Sequence, residues 1–282
     1  MKVAAIQMVS TPDPVHNAER ARYWLHEAAA QGVQLAALPE YFCLMGQQDS
    51  DKLAIAETAA DTTAPLQRML SETAAALGLW LIGGTLPLRA ATPERVRNAT
   101  CVYAPDGHLA ARYDKIHLFR FDNGRESYDE ARVLEAGEQP CTFVAPISAT
   151  AEHAAFDLKV GLSVCYDLRF PELYRAMSFS GDQVPCDLFA VPAAFTYTTG
   201  QAHWELLLRA RAIENQAFVI APAQGGLHQN GRRTWGHSMI VDPWGDVLAC
   251  LPEGEGLAVA TLDMARLRAV RQQLPALQHR RL

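Results

Sequence analysis

Cys165, Glu40 and Lys115 are the residues of this chain whose types could carry out nucleophilic chemistry together. Cys165 lies in VGLSVCYDLRFPE (160–172), where an apolar strand pattern runs into Tyr166, Asp167 and Arg169 and then a helix-starting Pro-Glu. A thiol needs a base to become a thiolate, and its attack on a carbonyl needs donors that hold the oxyanion. Glu40, in LPEYF, ends a second apolar strand pattern and offers a carboxylate. Lys115, in YDKIHLF, follows a hairpin pattern and offers a cation. Each has a plainer reading. A free cysteine is usually an inert core residue, a glutamate after a strand is usually solvated, and a lysine among aromatics usually snorkels to water. Two features favour a reactive Cys165. It sits where a strand ends, the place at which α/β folds expose reactive groups, and its neighbours are polar and bulky. A histidine is the default partner of a catalytic cysteine, so His117 and His203 stand as alternatives to Glu40 on residue type alone.

Other chemistries fit less well. GLSVC (161–165) resembles the nucleophile elbow G-x-S-x-G, but Cys165 replaces the final glycine that the sharp turn needs, so Ser163 reads as a strand residue. There is no G-x-G-x-x-G and no G-x-x-x-x-G-K-[ST] to cradle phosphate, and QGGLHQNGRR reads as a loop. The histidines show no H-E-x-x-H, and no Cys/His set has finger-like spacing, so no metal site is expected. His203, His228 and His237 read as surface or hydrogen-bonding residues.

The elements that must position these groups alternate. Strands are expected over 2–8, 34–38 and 79–85, with helices from Asp13-Pro14 to Gly32, over 51–60 and over 64–77. Residues 98–103 and 108–113 flank Pro105-Asp106-Gly107 and read as a hairpin. Residues 114–138 read as a long ordered loop, which in a compact domain is usually functional or disordered. Strands follow at 156–165, 187–191, 217–222, 237–242 and 257–262, with helices from Pro171, over 202–215 and over 263–273. Alternation of this kind predicts an α/β layered core. No linker, repeat or low-complexity tract interrupts it, so the expectation is a single domain over 1–282.

Composition limits the partners. A formal charge of −6 and a pI near 5.8 argue against nucleic-acid and anionic-membrane surfaces. His279, Arg280 and Arg281 are too short a basic cluster to act as a binding arm. The opening MKVAAIQMVS has no long apolar region of a secretion signal, and no apolar run approaches the roughly 20 residues that span a bilayer. Cys43, Cys101, Cys141, Cys165, Cys186 and Cys250 form no C-x-x-C pair, which fits reduced thiols and a cytoplasmic location. Asn98-Ala99-Thr100 matches a glycosylation sequon that, without secretion, reads as chance.

Glu40 in LAALPEYF, Lys115 in RYDKIHLF and Cys165 in GLSVCYDLRFPE resemble, in the same order, the Glu-Lys-Cys triad of the nitrilase superfamily of carbon–nitrogen hydrolases. The likeness continues through PAAFTYTTGQAHWELLLRARAIENQAFVIAPAQ (192–224) and GHSMIVDPWGDVLA (236–249), so it covers nearly the whole chain. RQQLPALQHRR (271–281) is similar to the tail of the branch that holds deaminated glutathione amidases and ω-amidases. The resemblance implies an α-β-β-α sandwich that pairs through its outer helices into a homodimer. It implies Cys165 as nucleophile, Glu40 as general base and acid, Lys115 as oxyanion stabiliser and the Tyr166 N–H as a second oxyanion donor. It also implies a second glutamate near the site. Counting back from Gly137 gives Glu130, and the unusual loop FRFDNGRESYDE leaves Glu126 as the alternative. In the resembling branch, Arg169 and Thr199 would face a substrate carboxylate, and Phe195 would line the pocket. Arg169 could instead pair with Asp167 or Glu172. The implied activity is hydrolysis of a small linear amide through a thioester, without metal or organic cofactor. Nitrile hydrolysis, N-acyl transfer or a non-catalytic scaffold are the alternatives.

Overall fold

Strand Lys2–Gln7 sends Val3 and Ala5 into one apolar cluster and Ala4 and Ile6 into another. Strand side chains alternate with period two, so this split means that the sheet is buried on both faces. Leu35–Ala37 repeats it, with Leu35 and Ala37 on the first side and Ala36 on the second. The computed structural model describes residues 1–151, 153–179 and 184–281. Two sheets result. The seven-stranded sheet runs Gly256–Thr261, Lys2–Gln7, Leu35–Ala37, Trp80–Ile82, Val96–Tyr103, Leu86–Arg89, with Leu109–Asp114 also paired to Val96–Tyr103. The six-stranded sheet runs Val247–Leu251, Ser238–Val241, Phe218–Ala221, Leu188–Ala190, Phe156–Leu162, Cys141–Ile147.

The sheets meet face to face over a shared core, with Val3, Leu35, Ile82 and Val102 from one and Leu158, Val160, Leu188 and Ile220 from the other. Helices Pro14–Ala30 and Pro65–Leu77 cover the outer side of the first sheet through Ala21, Leu25, Met69 and Leu70. Helices Pro171–Phe179 and Tyr197–Asn215 bury Tyr174, Trp204 and Leu208 over the second. The layers are α-β-β-α, as expected. Among the described residues no helix is long and apolar enough to cross a membrane.

Each sheet has a parallel centre: strands 2–7, 35–37 and 80–82 in one, and 156–162, 188–190 and 218–221 in the other. Side chains just beyond the carboxyl ends of parallel strands are free of the ladder and share one rim, which is where open α/β sheets place their ligands. Glu40 follows 35–37 and Cys165 follows 156–162. The two halves of the chain therefore deliver their reactive groups to the same edge.

The expected elements mostly form, with local departures. The helix expected over 51–60 stops at Ala54. Its continuation is diverted because the Glu57 carboxylate accepts the Leu66 and Gln67 N–H groups and so caps the next helix. In the two large sheets three strands went unforeseen, Leu86–Arg89, Cys141–Ile147 and Val247–Leu251, each at the end of its sheet order. The 114–138 segment is not simply a loop. It holds the hairpin Arg120–Asp122/Ser127–Asp129 and the 3₁₀ turn Glu130–Arg132. QGGLHQNGRR likewise enters a hairpin, Gly225–Leu227 with Arg233–Trp235, and the helix expected from 202 begins at Tyr197.

Candidate active site

The strand 35–37 continues as Leu38, Pro39 and Glu40, with the Leu38 N–H donating to Ile82 O at 2.9 Å. Gly84 makes room for this passage. It sits at φ +56, and a Cβ there would lie 2.2 Å from the Pro39 carbonyl oxygen. Lys115 leaves the strand Leu109–Asp114 under a similar constraint, because a Cβ on Gly137 would lie 2.1 Å from the Asp114 carbonyl oxygen. Cys165 opens the 3₁₀ turn Cys165–Arg169 at φ +49, and Tyr41, after Glu40, is at φ +57. Both are in the left-handed region that side chains other than glycine avoid. Strain of this kind collects at functional sites.

These approaches bring Glu40, Lys115, Glu130 and Cys165 together. Lys115 Nζ donates to Glu40 Oε1 at 2.9 Å and to Glu130 Oε1 and Oε2 at 2.9 and 2.8 Å. An ammonium has three donors, so carboxylates take them all. Glu40 Oε1 also accepts from Asn98 Nδ2 at 2.8 Å, and Oε2 accepts from the Ala194 N–H at 2.9 Å. Glu130 accepts from the Tyr41 hydroxyl at 2.8 Å and the Phe119 N–H at 2.7 Å. Of the two glutamates left open, the structure brings Glu130 to Lys115. Glu126 lies in the hairpin, where among the described residues its side chain accepts only from the Thr198 hydroxyl, at 3.3 Å.

Burial sets the electrostatics. It raises the Glu40 carboxyl above the ordinary value; Lys115 opposes the rise and Glu130 adds to it. Burial also pushes the Cys165 thiol well up, reinforced by the Glu40 charge and opposed by Lys115. For Lys115 burial works toward neutrality, but Glu130 and Glu40 outweigh it and hold the ammonium charged. Burial and the Glu40 charge both disfavour a free Cys165 thiolate, while Lys115 favours it. Proton removal is left to the moment of attack.

Above this set lies a cavity lined by Glu40, Tyr41, Glu130 and Cys165 on its floor. Tyr166, Arg169, Phe195 and Thr199 also line it, so the residues expected to contact substrate share one space. Arg169 Nη1 donates to His203 Nδ1 at 3.2 Å, and its guanidinium lies over the rings of Tyr166 and Phe195 at 5.8 and 5.3 Å. The suggested pairing with Asp167 or Glu172 does not form, and among the described residues Arg169 has no carboxylate partner. The Thr199 hydroxyl shares a 2.8 Å hydrogen bond with that of Thr196.

The histidine alternatives are placed elsewhere. His117 Nδ1 lies 2.7 Å from Asp167 Oδ1, and His203 sits on the outer helix beside Arg169. Four contributors went unforeseen: Asn98, Tyr41, the Ala194 N–H and Asp167. Asn98 carried a signal of the wrong kind, since its sequon drew attention to the surface while the residue is buried on Glu40. Tyr41 could have been found as the neighbour of Glu40 in LPEYF.

A frame of this kind with this site defines a class of thiol-dependent hydrolases. Residues 2–272 match the family model described as carbon-nitrogen hydrolase, and the chain belongs to that family. It is an amidase of the nitrilase superfamily. Over 280 residues it is 40% identical to the deaminated glutathione amidase of Synechocystis, spanning 98% of this chain and 97% of that one. Over 281 residues it is 35% identical to the human omega-amidase NIT2, spanning 99% and 95%. Among solved structures it is similar to Saccharomyces cerevisiae Nit3, a member of branch 10 of the nitrilase superfamily. The TM-score is 0.86 at 29% identity, with 100% of this chain and 97% of that one covered.

Proposed function

We propose that this enzyme hydrolyses the terminal amide of a small linear carboxylic acid, in the manner of a deaminated glutathione amidase or ω-amidase. The observation that carries this reading is the Glu40–Lys115–Glu130 cluster beside Cys165, in a cavity also lined by Arg169, which among the described residues has no carboxylate partner. Glu40 takes the thiol proton as Cys165 Sγ attacks the amide carbonyl. Lys115 turns one of its two Glu130 contacts toward the tetrahedral oxyanion, and the Tyr166 N–H is the second donor, at the start of the 3₁₀ turn, where first-turn N–H groups have no internal acceptor. Glu40 returns the proton to the leaving nitrogen, the C–N bond breaks, ammonia departs and a thioester remains. Water then gives a proton to Glu40 and adds to the thioester carbonyl. The C–S bond breaks, the acid is released and the proton returns to sulfur. The route needs neither metal nor organic cofactor.

The test is direct. Ammonia release from short ω-amides is expected from the wild type, with acylation of Cys165 visible by mass spectrometry. Cys165→Ala is expected to be folded and inactive; turnover near the wild-type rate by that variant would sink the assignment.

The whole chain, 1–282, acts in this reading as one carbon–nitrogen hydrolase domain. It pairs as a homodimer through its outer helices, among them Tyr197–Asn215, on which Leu206 and Ile213 are exposed. Light scattering at micromolar concentration is expected to give twice 30.9 kDa, and a 30.9 kDa species alone would contradict the pairing. Six unpaired cysteines fit a reducing compartment, the cytoplasm.

A further inference from the structure

Asp167 lies two residues after the nucleophile and is wholly buried, yet it does not line the cavity. Its carboxylate is fully engaged. Oδ2 accepts from the Val164 N–H at 2.8 Å and from the Tyr113 hydroxyl at 2.7 Å. Oδ1 accepts from the His117 N–H at 3.1 Å and lies 2.7 Å from His117 Nδ1. Tyr113 and His117 flank Lys115 by two residues on either side, and Val164 immediately precedes Cys165. One carboxylate therefore ties both sides of the lysine segment to the turn that carries the thiol.

The turn needs such a tie. Cys165 is held at φ +49, a conformation that costs a non-glycine residue of order 1 kcal/mol or more and persists only where its surroundings dictate it. The Asp167 N–H closes the turn by donating to Val164 O at 3.0 Å, while its side chain takes the Val164 N–H. The Cys165 N–H donates to Pro192 O at 2.9 Å. Beyond the turn, Arg211 Nε and Nη2 fix Leu168 O at 3.1 and 2.9 Å. The His117 ring is in turn locked against Phe170, stacked at 3.6 Å and 5°. Its orientation is set by packing, so its Nδ1 can be aimed at Asp167 without help from the cavity.

We infer that His117, acting through Asp167, is a positioning residue that fixes Lys115 against Cys165 and holds the nucleophile turn in its left-handed form. The inference rests on the roles of Cys165 and Lys115 proposed above. It explains why a histidine two residues from the lysine is not the base: it spends its Nδ1 on a buried carboxylate that organises the site. Reacting groups displaced by about 1 Å can lose on the order of 10²-fold in rate, whereas neither His117 nor Asp167 itself lines the cavity.

The test compares two substitutions of one residue. His117→Leu keeps bulk against Phe170 and removes the donor, and is expected to lower kcat about 10²-fold with KM within about twofold. His117→Asn presents an amide N–H where Nδ1 stood, and is expected to recover kcat to within about threefold of wild type. Tyr113→Phe removes one hydroxyl without bulk, and carries the test if His117→Leu does not fold. It is expected to lower kcat about tenfold at unchanged KM. Equal losses in the leucine and asparagine variants, or losses carried by KM, would overturn the inference. If Cys165→Ala is inactive while His117→Leu and Tyr113→Phe turn over normally, the site reading stands and the positioning role falls. If Cys165→Ala is itself active, both fall.

Discussion

The floor of the cavity and its mouth are built by different rules. On the floor, each carboxylate oxygen of Glu40 and Glu130 has a named donor, and Glu40 and Lys115 are almost completely buried. At the mouth, Arg169 has one histidine and two ring faces, and Glu126 has a single long contact to Thr198. Arg232 and Arg233 lean on Asp49 and Glu253 in partly exposed pairs. A buried, fully bonded constellation is preorganised and costly to disturb. Exposed pairs contribute little each and can be exchanged one at a time. In the proposed function this contrast would fix the reaction type deep between the sheets and leave the choice of acyl group to a rim with few bonds to lose.

Substitutions on the floor should be the most damaging, and they should differ from one another in kind. Glu40→Gln keeps the shape and removes the base, so kcat is expected to fall about 10³-fold or more. Stability should change little, because Lys115 keeps Glu130 as its partner. Lys115→Met should cost about 10²–10³-fold in kcat through the lost oxyanion donor. It also leaves the buried Glu40 carboxylate facing the partly buried Glu130 without a cation, and loss of one partner from a buried pair typically destabilises by about 3–5 kcal/mol. Thermal melts of the two variants separate these effects. A Lys115→Met melting point equal to that of Glu40→Gln would show that the floor is less tightly coupled than its bonds imply. The sign of the pH response follows from the same burial. Glu40 must be ionised to act as base, and its carboxyl is raised above 4.5, so activity should be lost as pH falls through that raised value. An acid limb of kcat/KM at or below 4.5 would contradict the burial argument.

The same contrast decides what could be read from the residues alone. Glu40 and Cys165 stood out because each follows a short apolar run, but residue type alone left His117 and His203 open, and only the family resemblance joined them into one site. Lys115, after its hairpin, read on residue type as a snorkelling lysine, and the resemblance alone marked it as a site residue. Asn98 was not legible, because one buried amide on a continuous strand looks like any other polar residue until Glu40 is seen opposite it. Glu130 and Glu126 could not be separated by counting, since the hairpin 120–129 between them is a tertiary feature of a segment without apolar periodicity. Edge strands such as Cys141–Ile147 were missed for a related reason: half of that strand's residues alternate into solvent, and Pro146 weakens the pattern. Glu57 misled in the opposite direction. Its helix-forming preference extended 51–60 on paper, while in the fold it serves as the cap of the next helix.

Arg169 provides the smaller and more discriminating test of the mouth. Its guanidinium lies over Tyr166 and Phe195 and keeps donors free for the cavity, since among the described residues only His203 accepts from it. An arginine fork can hold a carboxylate through two parallel hydrogen bonds, whereas a lysine offers one compact charge and no planar face to stack. Arg169→Lys therefore preserves the sign of the site and removes its geometry. With an ω-amide that ends in a carboxylate, KM is expected to rise about tenfold, the equivalent of one charge-assisted hydrogen bond. With the neutral amide of the same length, KM should change less than about twofold, and kcat should hold for both because the floor is untouched. The paired comparison matters more than either value. Equal losses on the two amides would mean that Arg169 only braces Tyr166 and Phe195, and the mouth would then have to choose its substrate by shape rather than by charge.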